Sequence, residues 1–302
     1  MHGTIGDALN TAQSRLAACS SPQVEAEELM SRLLGVGRTE LYLRRTEALA
    51  PEHWERLESW LRRRARGEPV QYITGRAAFR GLDLRVTHDV LVPRPETEGL
   101  VEAVLAELRV ELSRWPAPRV LDLGTGSGAI ALALAAEWAQ ARVTATDASE
   151  AAIEVASDNA RALGLAESVR FLRGDWFDAI EADERFEVIV ANPPYIATGE
   201  WDALPVEVRE FEPQDALFSG STGLEALREI VDLAPQHLVT DGVLALELAE
   251  MRAQEVASWL DGAHDWNDVR LLDDLAGRPR VLLARRQSGP AIAPLQWPEE
   301  RA

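Results

Sequence analysis

Val120-Leu121-Asp122-Leu123-Gly124-Thr125-Gly126-Ser127-Gly128-Ala129-Ile130-Ala131-Leu132-Ala133-Leu134 is the stretch that decides the fold. An apolar strand runs into three glycines at alternate positions, and an apolar helical stretch starts directly behind them. Glycine lets the backbone turn tightly and approach a ligand, and the free amides at a helix start attract electron-rich groups. A strand, a glycine turn and a helix in this order open a nucleoside-binding α/β sheet.

Outward from this turn the rhythm repeats. Strand-like runs at 119–123, 142–146, 169–172, 187–190, 243–247, 269–272 and 280–284 alternate with helical stretches, which predicts a doubly wound, Rossmann-like α/β sheet. The second run leads to Asp147, 23 residues after Gly124, where a carboxylate can accept hydrogen bonds from both ribose hydroxyls of a nucleoside cofactor. Behind the third run, Gly174-Asp175-Trp176 offers a carboxylate to an adenine amino group and an aromatic face to its ring. The glycine spacing is G-x-G-x-G, not the G-x-G-x-x-G of nicotinamide folds. With Asp122 in front of it to suit a cationic amino acid moiety, the loop Gly124, Thr125, Gly126, Ser127, Gly128 fits S-adenosyl-L-methionine better than a diphosphate cofactor.

At the end of the fourth run stands Ala191-Asn192-Pro193-Pro194-Tyr195-Ile196, the most specific signal in the chain. Open α/β sheets keep their active sites at the carboxyl ends of the strands. Two prolines stiffen the loop and remove backbone donors, so the Asn192 side-chain carbonyl and nearby main-chain carbonyls form an array of acceptors. Such an array suits a planar NH2 group, with Asn192 and the Pro193 carbonyl taking its two hydrogens and Tyr195 packing on its flat face. The chemistry expected is transfer of a methyl group to an amide or amino nitrogen, governed by orientation because an amide nitrogen is a poor nucleophile.

Before this sheet the pattern is helical. Leu29, Leu33 and Leu34 follow the start signal Ser20-Ser21-Pro22, a second helix begins near Pro51, and Arg62-Arg63-Arg64-Ala65-Arg66 closes it, where cations suit the helix dipole. The same arginines could alternatively form a contact patch for an acidic partner. Residues 1–75 are therefore read as a small helical domain. The alternation Leu82, Leu84, Val86, then Val90 and Val92 about Thr87-His88-Asp89, predicts a β-hairpin within 78–93, in a linker spanning 76–98. The sheet domain is assigned to 99–286. Residues 287–302, rich in Pro, Ala and Glu, lack periodicity and are expected to be frayed.

Composition narrows the class further. The chain has 302 residues, 46% of them hydrophobic, and a formal net charge of -19. Residues 1–75 carry ten acidic and ten basic side chains, so the whole acidic excess lies in 76–302. That charge disfavours direct binding to nucleic acid, whose backbone is gripped by cations. All 31 basic residues are Arg. No apolar run reaches the roughly 18 residues of a membrane span, and the first residues lack the pattern of a signal peptide, so a cytoplasmic protein without membrane contact is expected. One cysteine and five scattered histidines predict neither a disulfide nor a metal site.

Several segments resemble the bacterial peptide chain release factor glutamine methyltransferases, the HemK-type family. They are Glu68-Pro69-Val70-Gln71-Tyr72-Ile73-Thr74-Gly75 with Phe79, then Val90-Leu91-Val92-Pro93-Arg94-Pro95-Glu96-Thr97-Glu98, Phe211-Glu212-Pro213 with Ala216-Leu217, Gly223-Leu224, Leu246-Glu247 and Asp274-Leu275-Ala276-Gly277-Arg278. The match extends from about residue 21 to 280. The resemblance implies an N-terminal helical domain that helps to engage the release factor, a hairpin linker and a Rossmann-like methyltransferase domain. It implies as substrate the glutamine of a Gly-Gly-Gln loop. It implies cofactor contacts at Gly124 to Gly128, Asp147, Trp176 and Asn192, a grip on the glutamine by Asn192, Pro193, Pro194 and Tyr195, and Arg94 and Glu96 organising the wall of the site. One departure stands out: where the family continues Leu-Glu-Ile-Gly with a later Gln, this chain reads Leu246-Glu247-Leu248-Ala249-Glu250-Met251-Arg252. Two related activities share the Asn-Pro-Pro-Tyr loop: glutamine methylation of a large-subunit ribosomal protein, and amino-methylation of nucleic-acid bases. The run Pro93-Arg94-Pro95-Glu96-Thr97-Glu98 argues against the first and the acidic charge against the second.

Overall fold

A computed structural model describes residues 3–287 apart from 112 and 262. Beyond Gln287, the tail expected to fray lies outside the described residues. The chain divides into two compact units, residues 1–76 with 204–211 and residues 77–203 with 212–302. The segment Leu204–Phe211, which the sequence reading leaves inside the sheet domain, thus groups with the first unit.

The first unit is helical. Its helices are α1 (Ile5–Arg15), α2 (Pro22–Leu34), α3 (Arg38–Leu43), α4 (Pro51–Arg64) and α5 (Val70–Thr74), together with the short helix Val206–Phe211. Proline opens α2 and α4, where its missing N–H costs nothing, and Thr4 and Asp7 form a capping box before α1. Leu29, Met30, Leu41, Leu57 and Leu61 are buried together at the centre. Each such side chain contributes roughly 1.5–3 kcal/mol. The arginines that close α4 divide their work. Arg63 pairs with Glu68, Arg64 with Glu25 and Glu207, and Arg62 stays largely in solvent at 61% exposure. An acidic-partner patch of the four arginines would keep Arg62 and the exposed Arg66 but do without two of its charges.

The second unit begins with a hairpin, β1 (Arg76–Phe79) and β2 (Leu82–Arg85). Its turn is Arg80-Gly81, not the expected Thr87-His88-Asp89. Both turn residues take positive φ, 45° and 77°. For Arg80 the conformation is held by its backbone N–H and side chain, which donate to Glu98, Glu102 and Glu137. Thr87 and Asp89 do form a local turn, but no strand returns from it. Val90 and Val92 are buried as irregular chain, and Pro93 and Pro95 have no donors for a ladder.

The rest is the α/β sheet: α6 (Thr97–Val110), β3 (Arg119–Leu123), α7 (Ala129–Glu137), β4 (Arg142–Asp147), α8 (Glu150–Ala162), β5 (Val169–Arg173), β6 (Phe186–Ala191), the helix Glu225–His237, β7 (Leu238–Glu247), the helix Ala253–Asp261, β8 (Trp266–Asp273) and β9 (Pro279–Arg286). The strand order is β5-β4-β3-β6-β7-β9-β8, parallel except that β9 runs antiparallel to β7 and β8. All seven expected strands are present. β7 starts earlier than the run 243–247 because Thr240-Asp241-Gly242 interrupts its apolar pattern, with Asp241 at φ 60°. Alternate residues feed two cores, as a period of two requires. Val120, Val188, Val190 and Val243 pack with α6 and α7, joined by Phe79 and Leu84 of the hairpin. Leu121, Leu123, Ile189, Leu244 and Leu246 pack under the helices Glu225–His237 and Ala253–Asp261. Among the described residues no helix is long and apolar enough to cross a membrane, and no group of acidic, His or Cys side chains is arranged to hold a metal.

Candidate active site

The strand order reverses at β3, whose neighbours are β4 on one side and β6 on the other. Connections leave such a point in opposite directions and open a crevice at the carboxyl ends of the strands. A cavity of about 370 Å³ occupies it. Gly124 and Gly126 line it from the β3–α7 turn, Asp147 and Ser149 from the end of β4, Gly174, Asp175 and Trp176 from the end of β5, and Asn192 and Pro194 from the end of β6. Two further loops, through Asp89-Val90-Leu91 and through Pro213, Asp215 and Ala216, complete its walls.

The glycine turn is braced from below. Asp122 has no exposed surface; its Oδ2 accepts from Thr125 Oγ1 at 2.6 Å and from the Ala131 amide at 3.2 Å. Burial pushes its carboxyl up to about 7, and Oδ1 has no partner among the described residues. This corrects the expectation that Asp122 meets the amino acid end of a cofactor: it holds the loop and does not line the cavity. Thr125, Ser127 and Gly128 likewise build the turn from behind the cavity wall. Asn159 of α8 donates to the carbonyls of Ser127 and Arg85 at 2.9 Å, tying the turn to β2.

Asp147 faces the cavity. Its Oδ2 accepts from the Gly126 amide at 2.8 Å and its Oδ1 from the Ser149 amide at 2.9 Å, so each oxygen keeps a lone pair for one further donor. Burial raises its pKa above the ordinary carboxylate value. Two ribose hydroxyls, both donors, would offset that desolvation, which makes this carboxylate a fit for a nucleoside. Trp176 sits in a left-handed conformation with φ 38°, and its carbonyl accepts from Thr146 Oγ1 at 3.0 Å. Its ring lies against the turn: a Cβ on Gly124 would come within 3.4 Å of it. A flat aromatic face beside a glycine backbone, with Asp175 next to it, suits an adenine.

The acceptor loop crosses the end of β6. Asn192 Nδ2 donates to Thr97 Oγ1 at 3.2 Å. Pro193 is buried and, with Tyr195, stays off the cavity wall, whereas Pro194 lines it. Tyr195 lies toward a charged cluster: burial first, then the Glu247 carboxylate, raises its phenol, with Arg94, Glu96 and Arg280 also close enough to act on it. Behind the loop, Ile196 pairs with Phe218, and Gly223 approaches so closely that a Cβ there would stand 2.5 Å from the Tyr195 carbonyl oxygen. Arg94 donates to Glu212 at 2.5 Å and ties the segment before α6 to the loop that bears Pro213, while Glu96 caps the start of α6 without a side-chain cap bond.

Of the residues expected to form the site, the structure thus gathers Gly124, Gly126, Asp147, Asp175, Trp176, Asn192 and Pro194 around one cavity. Arg94, Glu96 and Tyr195 belong to the neighbouring charged cluster. Sequence reasoning gives no place in the site to Asp89, Asp215, Thr97 or Glu247. Asp89 is read there only as a turn residue, and Asp215 sits in the short helical turn Gln214–Ala216, which carries no motif. The last two lie within segments of the family resemblance but carry no local signal that sets them beside the acceptor loop.

The description "PrmC N-terminal domain" matches residues 7–75, and "Methyltransferase small domain" matches residues 102–207. A Rhodopirellula baltica protein named release factor glutamine methyltransferase is 40% identical over 268 residues, 89% of this chain and 90% of its own. A Cereibacter sphaeroides protein of the same name is 43% identical over 281 residues, 92% of this chain and 97% of its own. Among solved structures, the hMettl16 catalytic domain covers 81% of this chain and 83% of its own with a TM-score of 0.52 at 15% identity, a likeness of fold.

Proposed function

The chain belongs to the release factor glutamine methyltransferase family, and on that premise we propose that it moves a methyl group from S-adenosyl-L-methionine to the side-chain amide nitrogen of the glutamine in a release factor's Gly-Gly-Gln loop, with Asn192 holding the acceptor. We assign engagement of the release factor to residues 1–75, a linker to 76–98 and the chemistry to 99–286. Asp147 takes the ribose hydroxyls, Trp176 and Asp175 the adenine, and the backbone of Gly124 and Gly126 the remainder of the cofactor. Bound there, the cofactor supplies a methyl group on a positively charged sulfur that leaves as a neutral thioether.

The protein's own work is orientation. Asn192 Oδ1 and the Pro193 carbonyl accept the two hydrogens of the glutamine NH2, and Pro194 and Tyr195 confine its plane. Held so, the nitrogen presents its lone pair in one direction only, which replaces the entropy of a chance encounter. Both acceptors also stabilise the positive charge that grows on nitrogen as its bond to carbon forms, before its proton departs. No strong base is needed at the outset. Arg94 and Glu212 brace the wall beside the acceptor.

The observation that carries this reading is Asn192 lining the cavity, with its amide nitrogen donating to Thr97 Oγ1 at 3.2 Å. Incubation with labelled S-adenosyl-L-methionine and an unmodified release factor tests it. Label on the release factor that disappears in Asn192→Ala is expected; equal labelling by both proteins would refute the role of Asn192.

A further inference from the structure

Three large apolar side chains of the second unit stand exposed among the described residues: Val110, Met251 and Leu275, at 76%, 79% and 110%. Val110 ends α6, whose first residue, Thr97, meets Asn192, so the length of the helix carries Val110 about 20 Å from the acceptor loop. Met251 and Leu275 are placed differently. β7 lies beside β6, with Ala191 opposite Leu246, and β9 beside β7, with Glu247 opposite Val281. Because β9 is antiparallel, the β8–β9 turn, residues 274–278, emerges at the same edge of the sheet as the acceptor loop after β6 and the loop 249–252 after β7. With strands about 4.8 Å apart, the turn stands roughly 10–15 Å from the acceptor loop.

Arg280 ties the two loops at their bases. Its Nη1 donates to the Leu248 carbonyl at 3.1 Å, its own carbonyl accepts from the Leu248 amide at 2.8 Å, and its Nη2 lies 3.8 Å from Asp274 Oδ2. The turn itself is closed by its own polar groups. Asp274 Oδ1 accepts from the amides of Ala276 and Arg278 at 2.8 and 3.0 Å, its Oδ2 accepts from Arg278 Nε at 3.1 Å, and Gly277 supplies a φ of 75°. The charges of the turn thus satisfy one another, and Leu275 is left as its outward apolar group. A side chain held out on a preorganised loop loses little freedom on association, which is what an interface anchor requires.

We propose that Met251 and Leu275 form an apolar docking surface for the release factor, outside its Gly-Gly-Gln loop. The proposal rests on the reading of the release factor as substrate. Continuity with the acceptor site identifies the occupant: a folded partner of ordinary interface size covers about 800 Å², a disc of about 16 Å radius, and one centred on Asn192 reaches the turn. An extended chain advances about 3.3 Å per residue, so the part of the release factor that meets Leu275 lies at least about three residues from the glutamine. Met251 stands in the segment where this chain departs from the family pattern, and its unbranched side chain adapts to the surface that covers it.

The test uses the full chain and an unmodified release factor, titrated at saturating S-adenosyl-L-methionine. Leu275→Ser and Met251→Ser are each expected to raise KM for the release factor about tenfold, the effect of losing roughly half of the transfer energy of a buried side chain. Neither residue lines the cavity, so kcat and the Kd for S-adenosyl-L-homocysteine should stay within about twofold. Leu275→Met, which keeps an apolar side chain, should retain the wild-type KM, and Val110→Ser, at the far end of α6, should change nothing. Thermal melting checks that each variant keeps its fold, as substitutions at exposed positions do. An unchanged KM in either serine variant, a fall in kcat at unchanged KM, a weakened Kd for the cofactor product, or equal damage from Leu275→Met or Val110→Ser would each overturn the proposal. No methylation of the release factor by the wild-type protein would overturn the reading of the substrate, and the docking surface with it.

Discussion

Gly223 supports the acceptor loop from behind, and adding a single carbon there measures how finely that loop is set. Gly223 has φ 77°, and a Cβ on it would stand 2.5 Å from the Tyr195 carbonyl oxygen and 3.0 Å from the Ala197 amide nitrogen. The left-handed conformation costs a non-glycine residue about 1–2 kcal/mol. The collision adds about 1–3 kcal/mol if neighbours yield as in an overpacked core. Gly223→Ala should therefore destabilise the protein by about 2–5 kcal/mol, or lower its Tm by about 4–20 °C in a unit of this size. Relief of the clash pushes Tyr195, and a displacement approaching 1 Å at a reacting group costs on the order of a hundredfold in rate. Thermal melting and release factor methylation report the two effects separately. Gly199→Ala is the control, because Gly199 has an ordinary φ and nothing within 4 Å of its Cβ position. If Gly223→Ala melts and turns over like Gly199→Ala, the close packing argued for the acceptor loop is wrong.

Trp176→Ala removes the aromatic face beside Gly124. Stacking of this kind contributes roughly 0.5–1.5 kcal/mol, so the Kd for S-adenosyl-L-homocysteine should rise by up to about tenfold in calorimetry; an unchanged Kd would make the ring a packing group only. Burial lifts the carboxyls of Asp122 and Glu247 to about 7, so between the ordinary carboxylate range and about 7 the folded protein holds protons that the unfolded chain has released. Their contribution to stability consequently falls as pH rises through that window and levels off above it. Asp122→Asn should flatten the decline of Tm between about pH 5 and pH 7.5, and an identical slope in the variant would show that Asp122 does not titrate there.

What the sequence makes legible is whatever is encoded locally. The strand, three glycines and helix of residues 120–134 specify their own conformation, and the apolar runs announce the central parallel strands β3, β4 and β6 because a strand covered on both faces is apolar on both. Asp147, Trp176 and Asn192 are legible because each stands at the end of a strand. The hairpin turn is not legible, for the opposite reason. Arg80 is a poor residue for positive φ, and what holds it there are Glu98, Glu102 and Glu137, distant in sequence. Thr87 and Asp89 have turn chemistry and do turn, but a turn does not by itself produce a returning strand. Asp122 was read from its charge alone, whereas its complete burial and the bonds from Thr125 and Ala131 make it a brace for the turn. Thr97 and Asn192 stand 95 positions apart, and no period or motif joins them before the sheet folds.

The central claim is that the acceptor is an amide nitrogen held by Asn192, and fragmentation mass spectrometry of the methylated release factor tests it most directly. The account predicts one added methyl group on the side-chain nitrogen of the Gly-Gly-Gln glutamine, absent with Asn192→Ala and absent when that glutamine is replaced by glutamate. A methyl group on any other residue, or on the same glutamine in undiminished yield with Asn192→Ala, would contradict it.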